Sequence, residues 1–518
     1  MHCRRLAADA ASTRQCATSA LLSHAVRYPL PRRGIPCIGE CALGSYPNLP
    51  ESVHPGVVTG DALVDLLNDA KAKGYAIPAV NCVTSSSVNA CLEAARKMDA
   101  PIIIQFSSGG SQFYAGKGLD NTDFKAAIAG AVSGAFHVRA MAEQYGVPVI
   151  LVSAAAVPAA VEPAVTTPAE AAAAAEAAAE AAAARTYARR CRRRCRRRSC
   201  SATANLAHSR RLRVVFLLAS LPIPTAPRFA LSAQHTDHCA KNLLPWLDGM
   251  LAASERYYAE HGEPLFSSHM LDLSEEPLGE NIEICVEYLE RMAKIDMLLE
   301  MELGITGGEE DGVDNTDANP EDLYSKPEEI WEVHEALSKV PNAMFTVAAA
   351  FGNVHGVYAP GNVKLDPEIL NKAQVYIGEK LGLAGGAKPV SFVFHGGSGS
   401  DINDIKKAIS YGVVKMNIDT DTQWSYWSGI REYEKKYHGY LQSQIGNPEG
   451  ETKPNKNYYD PRQPIRAAEV STEERLAQCF ADLNCVGVLG GAPELANVLS
   501  DSNVEYSYGK RRKGALPV

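Results

Sequence analysis

The 518-residue sequence predicts an α/β fold: a closed (β/α)8 barrel. Three observations predict it. Eight short apolar runs rich in β-branched residues recur along the chain, amphipathic helical stretches separate most of them, and seven of the eight end on polar residues. Continuously apolar strands are buried on both faces, as in a parallel sheet with helical crossovers. Eight such units favour closure over an open doubly wound sheet, and a barrel carries its chemistry at the C-terminal strand ends.

The elements follow in order. Residues 1–52 are rich in Ala, Arg, Cys and Ser, with Asp9, Glu40 and Glu51 the only acids. This composition resembles an organelle transit peptide, and equally a mis-assigned start. From residue 55 the pattern changes. The first run, 77–82, carries Asn81 near its end, and the second, 101–107, ends on Ser107. The third, 147–151, stops at Leu151 without a polar terminus. The fourth, 265–273, carries Asp272, and the fifth, 296–304, carries Glu302. Asn353 and His355 follow the sixth, 343–352; His395 ends the seventh, 390–395; Asn417 and Asp419 close the eighth, 413–419. Helical stretches at 281–295 and 367–381 show the alternation, the second with Pro367 where a first turn tolerates proline.

Between the third run and the fourth the text is foreign. Residues 152–234 hold 13 Arg, no Lys and 4 Glu, a net +9 inside a chain of net −9. An Ala/Glu tract gives way to Arg and Cys between Arg189 and Cys200, then to a proline-broken apolar stretch ending at Gln234. Val152-Ser153 can be encoded GTGAGT and Gln234 CAG, the two ends of a typical intron. A translated intron of 83 residues is therefore the expected origin, with Leu151 running straight into His235 when it is removed. Closing a loop of that length costs only about 4 kcal/mol of chain entropy. Geometry is the larger obstacle, because catalytic placement matters at the 1 Å scale. Low activity is expected of the full chain. The domain reading is thus a leader (1–52), a first barrel part (53–151), the insertion (152–234), the rest of the barrel (235–489) and an extension (490–518).

Charge and cysteine usage bound the function classes. Outside the insertion the chain is near −18, so it is not a general nucleic-acid binder, and anionic substrates need local donors and a metal. No run of eighteen apolar residues spans a membrane. The Arg/Cys tract reads as a solvated basic arm. Six Cys outside the leader and insertion sit mostly in apolar patterns, as reduced core thiols do. A soluble protein of the cytosol or a plastid is expected.

The polar strand ends carry the chemistry. Three histidines, His238, His355 and His395, share the predicted rim, and a catalytic zinc commonly takes three protein ligands plus an open position. Asp272 and Glu302 could hold a second divalent or monovalent cation, or orient the histidines. Asp237 beside His238 could shuttle a proton. The glycine-bounded acidic loop at 307–312 offers Glu309 or Glu310 for delivery on closure. In His395-Gly396-Gly397-Ser398, backbone N–H groups and a hydroxyl can converge on an anion. Barrel enzymes often bind phosphate in that loop and the next. Arg462 is a candidate for a second phosphate, a charge suited to a bidentate fork.

Together these residues resemble the class II fructose-1,6-bisphosphate aldolases, the longer class IIA subtype in particular. The strings are PAVNCV, IIIQFSSGG, HTDHCAK, LFSSHMLDLSEE, ELGITGGEEDGVDN, FGNVHGVY, FVFHGGSGS, VVKMNIDTDTQW and YYDPR, spread over 55–151 and 235–489. The resemblance implies a TIM barrel and reversible cleavage of fructose 1,6-bisphosphate to dihydroxyacetone phosphate and glyceraldehyde 3-phosphate in glycolysis and gluconeogenesis. It implies a catalytic Zn2+ on His238, His355 and His395, with Asp272 and Glu302 at accessory metal positions. Asp237 is implied as the acid/base at the C4 hydroxyl, and Glu310 as the group that moves the proton of dihydroxyacetone phosphate. Gly356, Gly396, Gly397, Ser398, Asn417, Ile418, Asp419 and Thr420 are implied to bind that half of the substrate, and Ser107 and Arg462 the far phosphate, with Asn81 nearby. Zinc polarises the ketone as a Lewis acid, so no Schiff-base lysine is required. The resemblance also implies a homodimer. Ala359 departs from the pattern, standing where many relatives have lysine. Alternative readings are a tagatose-bisphosphate aldolase of the same chemistry, a product inactivated by the insertion, and a non-catalytic chain whose Arg-rich arm binds polyanions.

Overall fold

A computed structural model describes residues 46–153, 239–304, 308–310, 313–315, 323–353 and 364–491. Its centre is a parallel barrel of eight strands: β1 (Ile77–Asn81), β2 (Ile102–Phe106), β3 (Pro148–Ser153), β4 (Ser268–Leu271), β5 (Leu298–Leu303), β6 (Phe345–Ala349), β7 (Phe392–Phe394) and β8 (Val413–Asn417). Each pairs with the next in chain order, and β8 returns to β1 through Lys415 opposite Ile77 and Asn417 opposite Ala79, which closes the barrel. All eight apolar runs are strands. Every residue of β2, β3, β5 and β8 is buried, as expected when side chains on one face fill the barrel and those on the other meet helices.

The outer layer comprises α1 (Gly60–Lys73), α2 (Ser85–Met98), α3 (Ser108–Ala115), α4 (Lys125–Tyr145), α5 (Leu244–His261), α6 (Leu278–Met292), α7 (Pro327–Leu337), α8 (Glu368–Lys380), α9 (Ile402–Ser410), α10 (Asp419–Leu441) and α11 (Arg462–Asp482). Local chemistry sets their ends. Thr84 and Ser87 form a reciprocal capping box at α2, and the Asp401 carboxylate accepts from Asn403 N–H to cap α9. Gly74 and Gly146 end α1 and α4 with φ of 74° and 65°, the left-handed turn a Cβ disfavours. The helix expected over 367–381 runs from Glu368 to Lys380 behind Pro367, and the one expected over 281–295 starts three residues earlier and ends in a 3-10 turn.

β3 departs from expectation. It continues to Ser153, with Gln105 and Phe106 of β2 on one side and Ser268 and His269 of β4 on the other. Val152 and Ser153, the first residues of the foreign segment, thus complete the strand. Val152 faces inward, lining a small void of about 20 Å³ with Ser268, Glu300 and Lys415. Both are compatible with a strand, which is why pairing proceeds past the change in composition.

The chain rejoins the described structure at Cys239, whose carbonyl accepts from Asp272 N–H at 2.9 Å just beyond β4. Below it, the Leu151 carbonyl accepts from Ser267 N–H at 2.8 Å. The two pairs are separated in sequence by 33 and 116 positions, and the difference is 83, the length of 152–234. Cys239 therefore meets β4 where it would stand if Leu151 ran directly into His235.

The six cysteines Cys82, Cys91, Cys239, Cys285, Cys479 and Cys485 are buried and free, as the composition led us to expect. Among the described residues no helix is long and apolar enough to cross a membrane.

Candidate metal and substrate site

Of the expected polar residues, Glu302, His395, Asn417 and Asp419 stand at the C-terminal ends of β5, β7 and β8. His395, directly after β7, is 1% exposed, and its ring lies between two carboxylates of β5. Its Nε2 is 3.0 Å from Glu300 Oε1, and its Nδ1 is 3.2 Å from Glu302 Oε2. Glu300 and Glu302 alternate with apolar neighbours in the run Leu-Leu-Glu-Met-Glu-Leu, so both point into the barrel, Glu300 one layer deeper. Lys415 of β8 reaches across to Glu300, its Nζ 2.7 and 2.6 Å from the two carboxylate oxygens. Burial works against the Glu300 charge, but Lys415 and His395 outweigh it and hold the carboxyl below its usual range.

This geometry fits a metal. Two donor atoms of a tetrahedral zinc stand roughly 3.3 Å apart, given bonds near 2.0–2.1 Å. His395 Nδ1 and Glu302 Oε2 are 3.2 Å apart and buried, a separation at which Glu302 can orient the ring or the two can serve one cation. Among the described residues no group of three or more metal-binding side chains is assembled. His238 and His355, the other expected zinc ligands, lie outside the described residues, as do Asp237 and Gly356.

Asp272 follows β4, where its carboxylate accepts from Ser274 N–H and Oγ–H at 3.2 and 2.6 Å and shapes the turn. Asn81 ends β1 and accepts from Gln105 Nε2 at 3.3 Å. Ser107 caps α3, accepting from Gly110 N–H at 3.1 Å. Glu310 ends the first strand of a small hairpin, Gly308–Glu310 with Val313–Asn315. A loop was expected there.

The glycine loop after β7 packs against the end of β8. Gly396 takes φ of 62°, and Gly397 N–H donates to the Asn417 carbonyl at 3.1 Å. A Cβ on Gly397 would lie 2.3 Å from Met416 Cε and 2.9 Å from the Asn417 oxygen, so only glycine fits. Ile418 N–H donates to the Ala79 carbonyl at 3.2 Å, and Asp419 and Thr420 begin α10. The Ser398 hydroxyl accepts from Asp421 N–H at 3.4 Å, bringing the loop to the helix N-terminus. Arg475 binds the Asp421 carboxylate at 2.7 Å, offsetting an acid that would repel an anion there. The N-terminal end of α10 and its dipole beside the glycine loop make this corner suitable for phosphate.

Arg462 is not drawn into this cluster. Its side chain is 87% exposed and forks onto Asp460 at 2.9 and 2.6 Å. Sequence reading missed Glu300 and Lys415. Their signal was a charge at alternating positions inside runs otherwise apolar enough for a buried strand.

The profile of the family described as "Fructose-bisphosphate aldolase class-II" matches residues 61–153 and 219–488. The unmatched break falls within 152–234. A fructose-bisphosphate aldolase of Edwardsiella ictaluri is 48% identical over 437 residues, covering 84% of this chain and 98% of that protein. The "Fructose-bisphosphate aldolase class 2" of Escherichia coli K12 is 47% identical over 438 residues, with the same coverages. A crystal structure of fructose-bisphosphate aldolase from Campylobacter jejuni matches with a TM-score of 0.61 and 44% identity, covering 83% of this chain and 97% of that one. The chain belongs to the class II fructose-bisphosphate aldolases.

Proposed function

We propose that this chain catalyses the reversible aldol cleavage of fructose 1,6-bisphosphate to dihydroxyacetone phosphate and glyceraldehyde 3-phosphate. The observation that carries the reading is the buried His395–Glu302 donor pair beside the glycine loop and the start of α10. A metal corner and a phosphate corner thus share one rim, as cleavage of a phosphorylated ketose requires. Membership of the class II family implies a catalytic zinc, which supplies Lewis-acid polarisation of the ketone oxygen when bound.

The residues then divide the work. His395, with His238 and His355, holds the metal, and Asp272 and Glu302 orient ligands or hold a second cation. Gly396, Gly397 and Ser398 on one loop and Asn417, Ile418, Asp419 and Thr420 on the next bind the dihydroxyacetone-phosphate half, with Gly356 beside them. Asp237 takes the proton from the C4 hydroxyl during cleavage and returns it during condensation. Glu310 moves the proton at the carbon that forms the new bond. Ser107 and Arg462 take the far phosphate, and Asn81 contributes from β1. Because Arg462 stands outside the cluster in the single chain, its role requires a movement or a second subunit. A homodimer is part of the proposal, supported by Trp424 and Trp427, three apart on α10 and 58% and 52% exposed.

We further propose that residues 152–234 are an insertion in the barrel sequence, with Val152 and Ser153 taken up into β3, on the strength of the 83-position offset between the two β3–β4 contacts. The test is an aldolase assay on the chain with and without 152–234, first with EDTA and then with zinc restored. Activity should require zinc and should be far higher without the segment. Cleavage that survives complete metal removal refutes the assignment.

A further inference from the structure

We propose that Glu300 and Lys415 are positioning residues that fix the His395 ring so that Nδ1 faces the metal corner. The inference rests on the reading of His395 as a metal ligand. Glu300 lies on β5, Lys415 on β8 and His395 just after β7, so their contacts span the barrel interior. The three residues are 2%, 4% and 1% exposed.

Stability alone does not account for the Glu300–Lys415 pair. Burying two charges carries a desolvation penalty that their attraction often fails to exceed, and apolar replacements of similar size are commonly neutral or stabilising. What the pair does supply is a directional acceptor. Lys415 binds both Glu300 oxygens, at 2.7 and 2.6 Å, and so locks the orientation of the carboxylate. Glu300 Oε1 then stands 3.0 Å from His395 Nε2 and takes its N–H. With that nitrogen committed, the ring turns its other nitrogen to the same side as Glu302 Oε2. A carboxylate behind a ligating imidazole sets its tautomer and ring angle, and loss of such a partner typically lowers metal affinity 10- to 100-fold.

The test is zinc affinity of the full chain, read by competition with a chromophoric chelator, together with the visible absorption of the Co2+ form. Four variants are compared with the parent: His395→Ala, Glu300→Gln, Glu300→Leu and the double Glu300→Leu/Lys415→Met. The double variant removes both buried charges together, so it keeps the fold, seen as an unchanged or raised melting temperature. Its zinc Kd is expected to rise about 10- to 100-fold, with altered Co2+ bands. Glu300→Gln still offers an acceptor to Nε2–H and is expected to recover most of that loss, whereas Glu300→Leu is not. A folded double variant, or a folded Glu300→Leu, with zinc Kd within twofold of the parent overturns the positioning role while leaving the metal reading intact. A His395→Ala chain that binds zinc as well as the parent overturns the metal reading itself, and this inference with it.

Discussion

Deleting an insertion of known length gives a discriminating test, because the barrel register counts residues. The Leu151–Ser267 and Cys239–Asp272 contacts bracket the segment, and their sequence separations differ by 83. Removing residues 152–234 lets 235–238 span between the two fixed contacts without slack. Removing 152–233 leaves one residue too many, and removing 152–235 leaves one too few. Each residue advances a strand about 3.3 Å and reverses its facing side. Asp237 and His238 would then be misplaced by several times the 1 Å that already costs roughly 100-fold in rate. The expected outcome is a sharp optimum. The 83-residue deletion should be active, and the 82- and 84-residue deletions at least about 100-fold slower, with similar circular dichroism. The assay is kcat/KM for fructose 1,6-bisphosphate with zinc present, normalised to bound zinc. If either mis-length deletion reached within tenfold of the 83-residue one, or the full chain equalled it, the register argument would fail.

Three further predictions concern separate parts of the molecule. Burial, helped by the Arg291 charge and opposed by Ser153, depresses the His269 imidazole to about 3, against 6.5 for an exposed ring. The unfolded chain takes up this proton below 6.5 and the folded one does not, so the stabilisation is complete above 6.5 and is lost as pH falls toward 3. The loss at pH 5 relative to pH 8 should be about 2 kcal/mol, read from urea midpoints and reduced by that amount in His269→Asn; equal pH slopes in both would refute it. Gly397→Ala should raise KM about 10-fold or more, because overpacking against Met416 and Asn417 costs about 1–3 kcal/mol at the phosphate loop; unchanged kinetics would show that the loop has room. Trp424→Asp with Trp427→Asp should weaken self-association about 30-fold or more in sedimentation velocity, and an unaltered dimer would place the interface elsewhere.

The eight strands were legible because a parallel barrel buries both faces of each strand, leaving apolar runs too short for a buried helix, rich in β-branched residues and separated by amphipathic stretches. His395, Asn417 and the glycine loop were legible because strand ends are where polarity returns. Three features were not. The end of β3 was drawn at Leu151 on composition, yet Val152 and Ser153 pair on both sides, since strand pairing depends on backbone and shape more than on origin. Glu300 and Lys415 sit in runs 115 positions apart, and only barrel closure shows that their charges meet. The fork of Arg462 onto Asp460, two residues before it, is a local contact that the sequence did not announce.

Val152 and Ser153 have a consequence for how a defect in this protein would be perceived. They supply β3 with neighbours on both flanks, so the barrel is sealed before the rest of the foreign segment begins. Folding and catalysis are thereby uncoupled at one point of the sequence. The pairing of β3 depends on Val152 and Ser153 and not on the placement of Asp237 and His238. Strand order and hydrogen bonding in the full chain would therefore match those of the 83-residue deletion, and a probe of barrel pairing alone would not tell the two forms apart.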